Sequence, residues 1–148
     1  MSNKDTAECM VLGTRKAARA ITRLYNAKIR HIGLTSTQVS VLFAIDSSRH
    51  QSITDMADNL ALERSSLTRN IKLLENRQLV EKHGTGKGRS QIVSLTGEGD
   101  RLMKVAYTHW IDAQSQLRAE MGEDRWTAVH EILELLGNLD CCQSVKST

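Results

Sequence analysis

The chain has 148 residues, of which 40% are hydrophobic, and a formal net charge of +3, which fits one domain with an ordinary core. It has no run of about 18 apolar residues that could span a membrane, and its first residues, MSNKDTAECM, lack the apolar segment of a signal peptide. Three cysteines without disulfide or zinc-site spacing suit the reducing environment of the cytoplasm.

The charge is divided unevenly along the chain. Residues 1–35 and 63–90 carry +5 and +4, whereas residues 36–62 and 91–148 carry −2 and −4. Two basic segments in a nearly neutral protein indicate an anionic partner that meets particular faces. Two solvated helix faces would give the same distribution, so charge alone leaves both interpretations open.

Apolar residues at helical spacing predict four helices in the N-terminal half. The first covers residues 6–31 and ends before Gly33, and Thr35 or Ser36 is the expected N-cap of the second. Two short helices follow, one capped by Ser52 and one over 63–77, in the format of a helix-turn-helix. The inward residues of the second, third and fourth helices are Val41, Leu42 and Ile45; Ile53, Met56, Ala57 and Leu60; and Leu67, Ile71 and Leu74.

The C-terminal half predicts a hairpin and two long helices. Strand-like segments at Leu79–His83 and Gln91–Thr96 flank a glycine-rich stretch. Helices are expected at 98–120 and 123–140, divided by Gly122. The predicted fold is therefore mainly α with one small β-hairpin.

The glycine-rich stretch, HGTGKGRS, does not follow the pattern of a nucleotide-binding P-loop. That loop needs G-x-x-x-x-G-K-[S/T] between a strand and a helix. Here Gly88 follows Lys87, Glu81 stands where the first glycine belongs, and a strand comes next. The glycines suit a tight hairpin turn, and a hairpin after a helix-turn-helix is the plan of a winged helix.

The outward face of helix 63–77 combines hydroxyl groups with cations. Arginine can pair bidentately with guanine, and serine and threonine reach bases or phosphates. A solvated polar face is the alternative, but a following hairpin with Lys87 and Arg89 favours DNA binding. The residues of this face are Arg64, Ser65, Ser66, Thr68, Arg69 and Lys72.

With these elements in place, the sequence resembles the MarR (multiple antibiotic resistance regulator) family of bacterial winged-helix transcription factors. The resemblance is carried by GLTSTQVSVLFAI (33–45), ITDMADNLALERSSLTRNIKLLENRQLVEK (53–82) and GRSQIVSLTGEG (88–99). It implies a winged helix-turn-helix lobe at 35–97 and dimerisation helices at 1–34 and 98–148. It further implies an intertwined homodimer that binds a pseudo-palindromic operator in double-stranded DNA, as a repressor.

The resemblance also implies contacts for individual residues. Ser65, Ser66, Thr68 and Arg69 match positions that contact base edges; Arg89, beside Ser90, matches the wing arginine of the minor groove; and Ser36, Thr37 and Gln38 match a helix start that contacts phosphate. Many relatives have acidic residues where Lys72 and Lys87 stand here. Since those acidic groups orient the wing arginine, the resemblance does not explain how Arg89 is held.

Relatives usually respond to small phenolic or carboxylate ligands bound between the dimerisation helices and the DNA-binding lobe. Arg15, Arg19 and Arg23 recur every four residues in the first helix. We expect them, with Tyr25 and Trp110, to bind an anionic effector such as an aromatic acid or an acyl-CoA thioester. The alternatives are a solvated or partner-paired face for the arginines and core packing for Trp110.

Cys9 offers a second mode of sensing, because some relatives detect peroxides through a cysteine near the start of the first helix, helped by tyrosines, and Tyr25 is the matching tyrosine here. Cys9 lies about two residues before that position. The five histidines show no metal-ligand spacing, and no nucleophile–base pair or paired carboxylates occur. We therefore expect no metal, no cofactor and no enzymatic activity. A winged-helix module that binds protein instead of DNA is the rival class.

Overall fold

The computed structural model describes residues 8–47, 52–83 and 92–139. Its elements follow the predicted order of four helices, two strands and two helices, which confirms a mainly α fold with a small hairpin. They are α1 (Met10–Ile29), a 3-10 turn (Arg30–Ile32), α2 (Ser36–Ser47), α3 (Ile53–Asn59), α4 (Arg64–Asn76), β1 (Val80–His83), β2 (Ile92–Leu95), α5 (Gly97–Met121) and α6 (Glu123–Gly137).

The core lies where α2, α3 and α4 pack together against the hairpin and the first turns of α5. Leu67, Ile71 and Leu74 of α4 are at most 1% exposed, and Val41 and Leu42 of α2 are fully buried with them. Each such side chain contributes roughly 1.5–3 kcal/mol by leaving water. The predicted inward faces of α2 and α4 are thus confirmed, and they hold the opposite face of α4 toward solvent.

Local hydrogen bonds define the ends of the two short helices. Ser52 and Asp55 form the predicted capping box at the start of α3. The helix ends in a Schellman arrangement, in which the N–H of Ala61 donates to the backbone carbonyl of Asp58 and the N–H of Leu62 donates to the backbone carbonyl of Ala57. Ala61 therefore has a positive φ of 49°. These two hydrogen bonds satisfy carbonyl groups at the end of α3 and close the short turn between α3 and α4.

The end of α4 repeats the arrangement and leads directly into the hairpin. Gln78 takes the positive φ, at 58°, and the N–H of Leu79 donates to Leu74. The strands pair antiparallel from Val80↔Leu95 to His83↔Ile92. The Lys82 ammonium lies 2.8 Å from the Glu75 carboxylate, so β1 is also tied to α4 by an ion pair.

The hairpin base is joined to the start of α5 through Thr96. Its hydroxyl donates to the carbonyl of Gln78 (2.7 Å) and accepts from the N–H of Gly99 (3.0 Å). Gly99 lies so close to Leu79 that a Cβ atom would come within 1.9 Å of the Leu79 carbonyl oxygen. Only glycine fits this crossing.

The described residues from Asp112 to Leu139 form a second compact unit, distinct from the unit that ends at Ile111. Within it, the Arg118 guanidinium makes two hydrogen bonds of 2.6 Å to the Glu123 carboxylate. These bonds hold the carboxyl pKa of Glu123 below its usual value. The large apolar residues of this unit that are at least half exposed are Ile132, Leu133 and Leu135 of α6 and Leu139, two residues beyond its end.

No helix in the described ranges combines the length and apolar character needed to cross a membrane.

Candidate nucleic-acid interface and adjoining cavity

Helix α4 presents its predicted hydrogen-bonding face to solvent. All its predicted contact side chains are exposed, opposite the buried Leu67, Ile71 and Leu74. The Thr68 hydroxyl donates to the carbonyl of Arg64 (2.8 Å), so its oxygen lone pairs are left to accept hydrogen bonds. The face is therefore equipped with cations, donors and acceptors together. The exposed residues are Arg64, Ser65, Ser66, Thr68, Arg69 and Lys72.

The tip of the hairpin lies outside the described residues. This applies to the predicted turn glycines and to the predicted wing contacts Lys87, Arg89 and Ser90. The described part of the wing is its base, where the His83 ring nitrogen lies 2.8 Å from the Ser94 hydroxyl.

The start of α2 is held by a second capping box, which assigns Thr35 rather than Ser36 as the N-cap. The N–H of Gln38 donates to the Thr35 hydroxyl (3.2 Å), and the Gln38 carboxamide oxygen accepts from the Thr35 N–H (3.0 Å). Gln38 is only 9% exposed. Its side chain shapes the helix start from inside and is not free to extend to a phosphate, in contrast to its predicted role. Ser36 and Thr37, both half-buried, keep that prediction.

Asn26 connects α1 to this helix start. Its carboxamide oxygen accepts a hydrogen bond from the N–H of Ser36 at 2.7 Å. The bond couples the position of α1 to the beginning of α2. Sequence reasoning missed Asn26, because an asparagine in the middle of an amphipathic helix carries no signal of a partner ten residues away.

A cavity of about 420 Å³ opens between α1, α2, the α3–α4 turn and α5, a size typical of small-molecule sites. It contains two predicted effector residues, Tyr25 and Trp110, and two predicted phosphate contacts, Ser36 and Thr37. Its lining residues are Ile21, Thr22, Tyr25, Ile29, Ser36, Thr37, Val39, Ser40, Asn59, Leu60, Leu62 and Trp110.

The arginines of α1 do not line this cavity. Arg15, Arg19 and Arg23 are exposed along the helix. At about 100° per residue they lie roughly 80–160° around the helix axis from Tyr25. These arginines therefore do not join Tyr25 and Trp110 at the cavity within this protomer, because a four-residue repeat drifts away from the buried stripe.

Aromatic packing holds Trp110, which forms the α5 wall of the cavity. The Trp110 indole stacks on the Tyr107 ring with centroids 5.7 Å apart and meets the Phe43 ring edge-on at 6.3 Å. Burial raises the pKa of the Tyr25 phenol, so this group stays a neutral hydrogen-bond donor at physiological pH. The cavity thus offers one rigid aromatic surface and one phenol.

Two histidines that sequence spacing did not connect meet beside the first helix. The Nε2 atoms of His31 and His109 lie 3.0 Å apart, although the residues are 78 positions apart. One imidazole donates and the other accepts, which links the turn after α1 to α5. Within the part of the chain that the structure describes, no three His, Cys, Asp or Glu residues come together as a metal site.

Cys9 is exposed at the N-cap of α1. Sixteen residues of helix, about 24 Å, separate it from Tyr25 in the same chain. Any interaction between the two groups would thus require the Tyr25 of a second protomer.

Comparison with known proteins agrees with the described geometry. The sequence profile of the MarR family matches residues 32–90. The transcriptional regulator MosR from M. tuberculosis, solved in complex with DNA, is 31% identical and superposes with a TM-score of 0.78 over 88% of this chain and 94% of its own. The uncharacterized HTH-type regulator YwoH of Bacillus subtilis (strain 168) is 25% identical over 109 residues, 74% of this chain and 80% of YwoH. The repressor CouR bound to p-coumaroyl-CoA shares the fold, with a TM-score of 0.83, 19% identity and coverage of 94% and 99%.

Proposed function

The chain belongs to the MarR family of DNA-binding transcriptional regulators, and from this premise we propose that it is a ligand-responsive repressor. It acts in the cytoplasm, binds a pseudo-palindromic operator as a homodimer, and leaves DNA when a small aromatic ligand enters the cavity. The observation that carries the proposal is the position of the cavity: its walls include residues directly before the helix that faces DNA.

Direct readout is assigned to α4. Its exposed hydroxyls and cations stand on a buried Leu67–Ile71–Leu74 face, so the helix can enter a major groove without losing its packing. Arg69 is the expected base-reading residue, since a bidentate arginine–guanine pair discriminates by about 1–3 kcal/mol. Lys72 and Lys87 add attraction to phosphates, and Arg89 is the residue proposed to enter the minor groove.

The route from ligand to DNA runs through two wall segments. Leu60 and Leu62 flank the closed turn that leads into α4, and Ser36 and Thr37 begin α2. A ligand that pushes on either segment displaces a helix as a unit, because packed elements move as rigid bodies rather than bending. Such a displacement would change the spacing of the two recognition helices in a dimer.

The homodimer is supported by apolar surface on terminal helices. On α6, Ile132, Leu133 and Leu135 are 51–65% exposed. On α1, Met10 and Val11 are 63% and 65% exposed. Neighbouring exposed apolar residues on each of these helices are typical of association surfaces.

The expected anionic effector, an aromatic acid or a thioester, is proposed here in the form whose charged group lies outside the cavity, which favours the thioester. Arg15, Arg19 and Arg23 are exposed and lie off the cavity, so they would hold an acidic or nucleotide portion outside it.

Peroxide sensing through Cys9 is the second candidate, and its support is the exposure of the thiol at the N-cap of α1. Cys9→Ser should abolish peroxide-induced DNA release and leave ligand-induced release intact. Peroxide release that persists in this variant would eliminate the candidate.

Operator binding is tested with labelled DNA from upstream of the protein's own gene, at two salt concentrations. We expect binding that weakens steeply with salt and footprints of two half-sites about one helical turn apart. Sedimentation of the free protein should give a dimer. Failure to bind any such DNA in a salt-sensitive manner would favour a protein-interaction module instead.

A further inference from the structure

The cavity lining contributed by this chain is uncharged. Among the described residues, none that lines it is acidic or basic. Placing a carboxylate there without a partner cation would cost several kcal/mol of desolvation. The polar groups of the lining are instead hydroxyls and one amide, on Thr22, Tyr25, Ser36, Thr37, Ser40 and Asn59.

The beginning of α2, which faces this cavity, is already capped by protein groups. Exposed N–H groups at a helix start are a common binding site for anions. Here the Ser36 N–H donates to Asn26 and the Gln38 N–H donates to Thr35. The helix start therefore does not provide the cluster of unpaired donors that a carboxylate would need.

The aromatic wall of the cavity, formed by Trp110, favours an uncharged planar ring. Trp110 is held flat by its stacking on Tyr107, at an interplanar angle of 14°. A second aromatic ring can stack on a surface of this kind and gain about 0.5–1.5 kcal/mol beyond its buried area. Tyr25, whose pKa is raised by burial, adds a neutral donor at the side of the cavity.

Resting on the proposed ligand control of DNA binding, we infer that the cavity accepts an uncharged planar aromatic group and rejects the corresponding free carboxylate. In the physiological ligand, the carboxyl group attached to this aromatic group is then converted to an uncharged ester, thioester or amide. Charge on the remainder of the ligand lies outside the cavity.

The test uses matched pairs that differ only in this charge: 4-hydroxybenzoate, 4-hydroxycinnamate and nicotinate, each beside its methyl ester and its primary amide. The protein is the full chain carrying Trp126→Phe, which leaves Trp110 as the single tryptophan. Quenching of Trp110 emission reports cavity occupancy, and anisotropy of labelled operator DNA reports release. For at least one scaffold, the neutral member should bind at least about tenfold more tightly than the acid.

A designed cation provides the matched control. Thr22→Lys places an ammonium in the lining, whereas Ala20→Lys adds the same charge to an exposed position of α1 that does not line the cavity. Thr22→Lys should shift the acid-to-neutral preference toward the acid by about tenfold, by pairing with the carboxylate. Ala20→Lys should leave the ratio unchanged.

The outcomes separate the two levels of the proposal. Neutral preference in the wild type, reduced by Thr22→Lys alone, supports the inference. Equal or tighter binding of the acids, with DNA release, overturns it and leaves ligand control standing. If no compound on any scaffold quenches Trp110 or releases DNA, the cavity is not the ligand site and both proposals fail.

Discussion

Gly99→Ala should be among the most destabilising single substitutions in the described core. The added Cβ would lie 1.9 Å from the carbonyl oxygen of Leu79 and 2.9 Å from its carbonyl carbon. Both are backbone atoms, and the Leu79 carbonyl is held by the N–H of Thr96 at 3.1 Å. Since non-bonded carbon and oxygen atoms need more than 3 Å, α5 and the hairpin base must separate by at least about 1 Å.

The cost can be assembled from these contacts. Separation weakens the bonds from Thr96 to Leu79 and from Gly99 to Thr96, at about 0.5–1.5 kcal/mol each. Overpacking a tight site adds about 1–3 kcal/mol. We therefore expect the free energy of unfolding to fall by about 2–6 kcal/mol.

Urea unfolding followed by far-UV circular dichroism, at one fixed protein concentration, measures this difference. Gly97→Ala is the matched control, because a Cβ at Gly97, in the same helical turn, meets nothing within 4 Å. That variant should be unchanged or stabilised by up to about 1 kcal/mol. Equal stability of the two variants, within about 0.5 kcal/mol, would refute the close packing of α5 on Leu79.

Three further predictions follow from the described contacts. Arg69→Ala should weaken operator binding by about 1–3 kcal/mol and relax selectivity at one base pair. Anisotropy on single-base operator variants measures both effects, with Lys104→Ala as the control. An equal loss on every operator variant would assign Arg69 to a phosphate contact. Gln78→Gly should raise the free energy of unfolding in urea by about 0.5–1 kcal/mol, since Gln78 has a φ of 58°, whereas a loss of stability would contradict this account of the turn. Hydrogen bonding by Arg101 lowers the pKa of Glu98, so the pair's stabilisation is present above the unfolded-state pKa and is lost as pH falls through the lowered one. Melting temperatures of wild type and Glu98→Gln should therefore converge on acidification, and a constant difference would reject the ion pair.

Elements whose burial is governed by local periodicity could be predicted from the sequence. Leu67, Ile71 and Leu74 recur at helical spacing and are buried together, and Ser52 forms its capping box with Asp55. Gly33 ends the first helix region at a φ of 72°, as expected for a residue without a Cβ. In each case the determining contacts lie within about one or two helical turns.

Features that depend on how helices cross could not be predicted in this way. Tyr25 and Trp110 share a cavity, and His31 meets His109, because the fold brings α1 and the turn after it beside α5 at a position that no periodicity encodes. For Arg19, in contrast, the regular four-residue repeat suggested an effector site, but the helix turns this side chain away from the cavity. Gln38 was assigned to DNA by its match to a helix start that contacts phosphate in the family, and its hydrogen bonds to Thr35 carry no signal in that match.

Ser36 and Thr37 belong both to the cavity wall and to the helix start expected to contact phosphate. A ligand that lowers the affinity for an operator through these residues must itself bind the DNA-bound protein more weakly by the same factor. The ligand concentration that empties a promoter then rises with the affinity of that promoter's operator. As a single metabolite accumulates, one such regulator would release its operators in order of increasing affinity, and the operator sequences would set the order in which the genes are expressed.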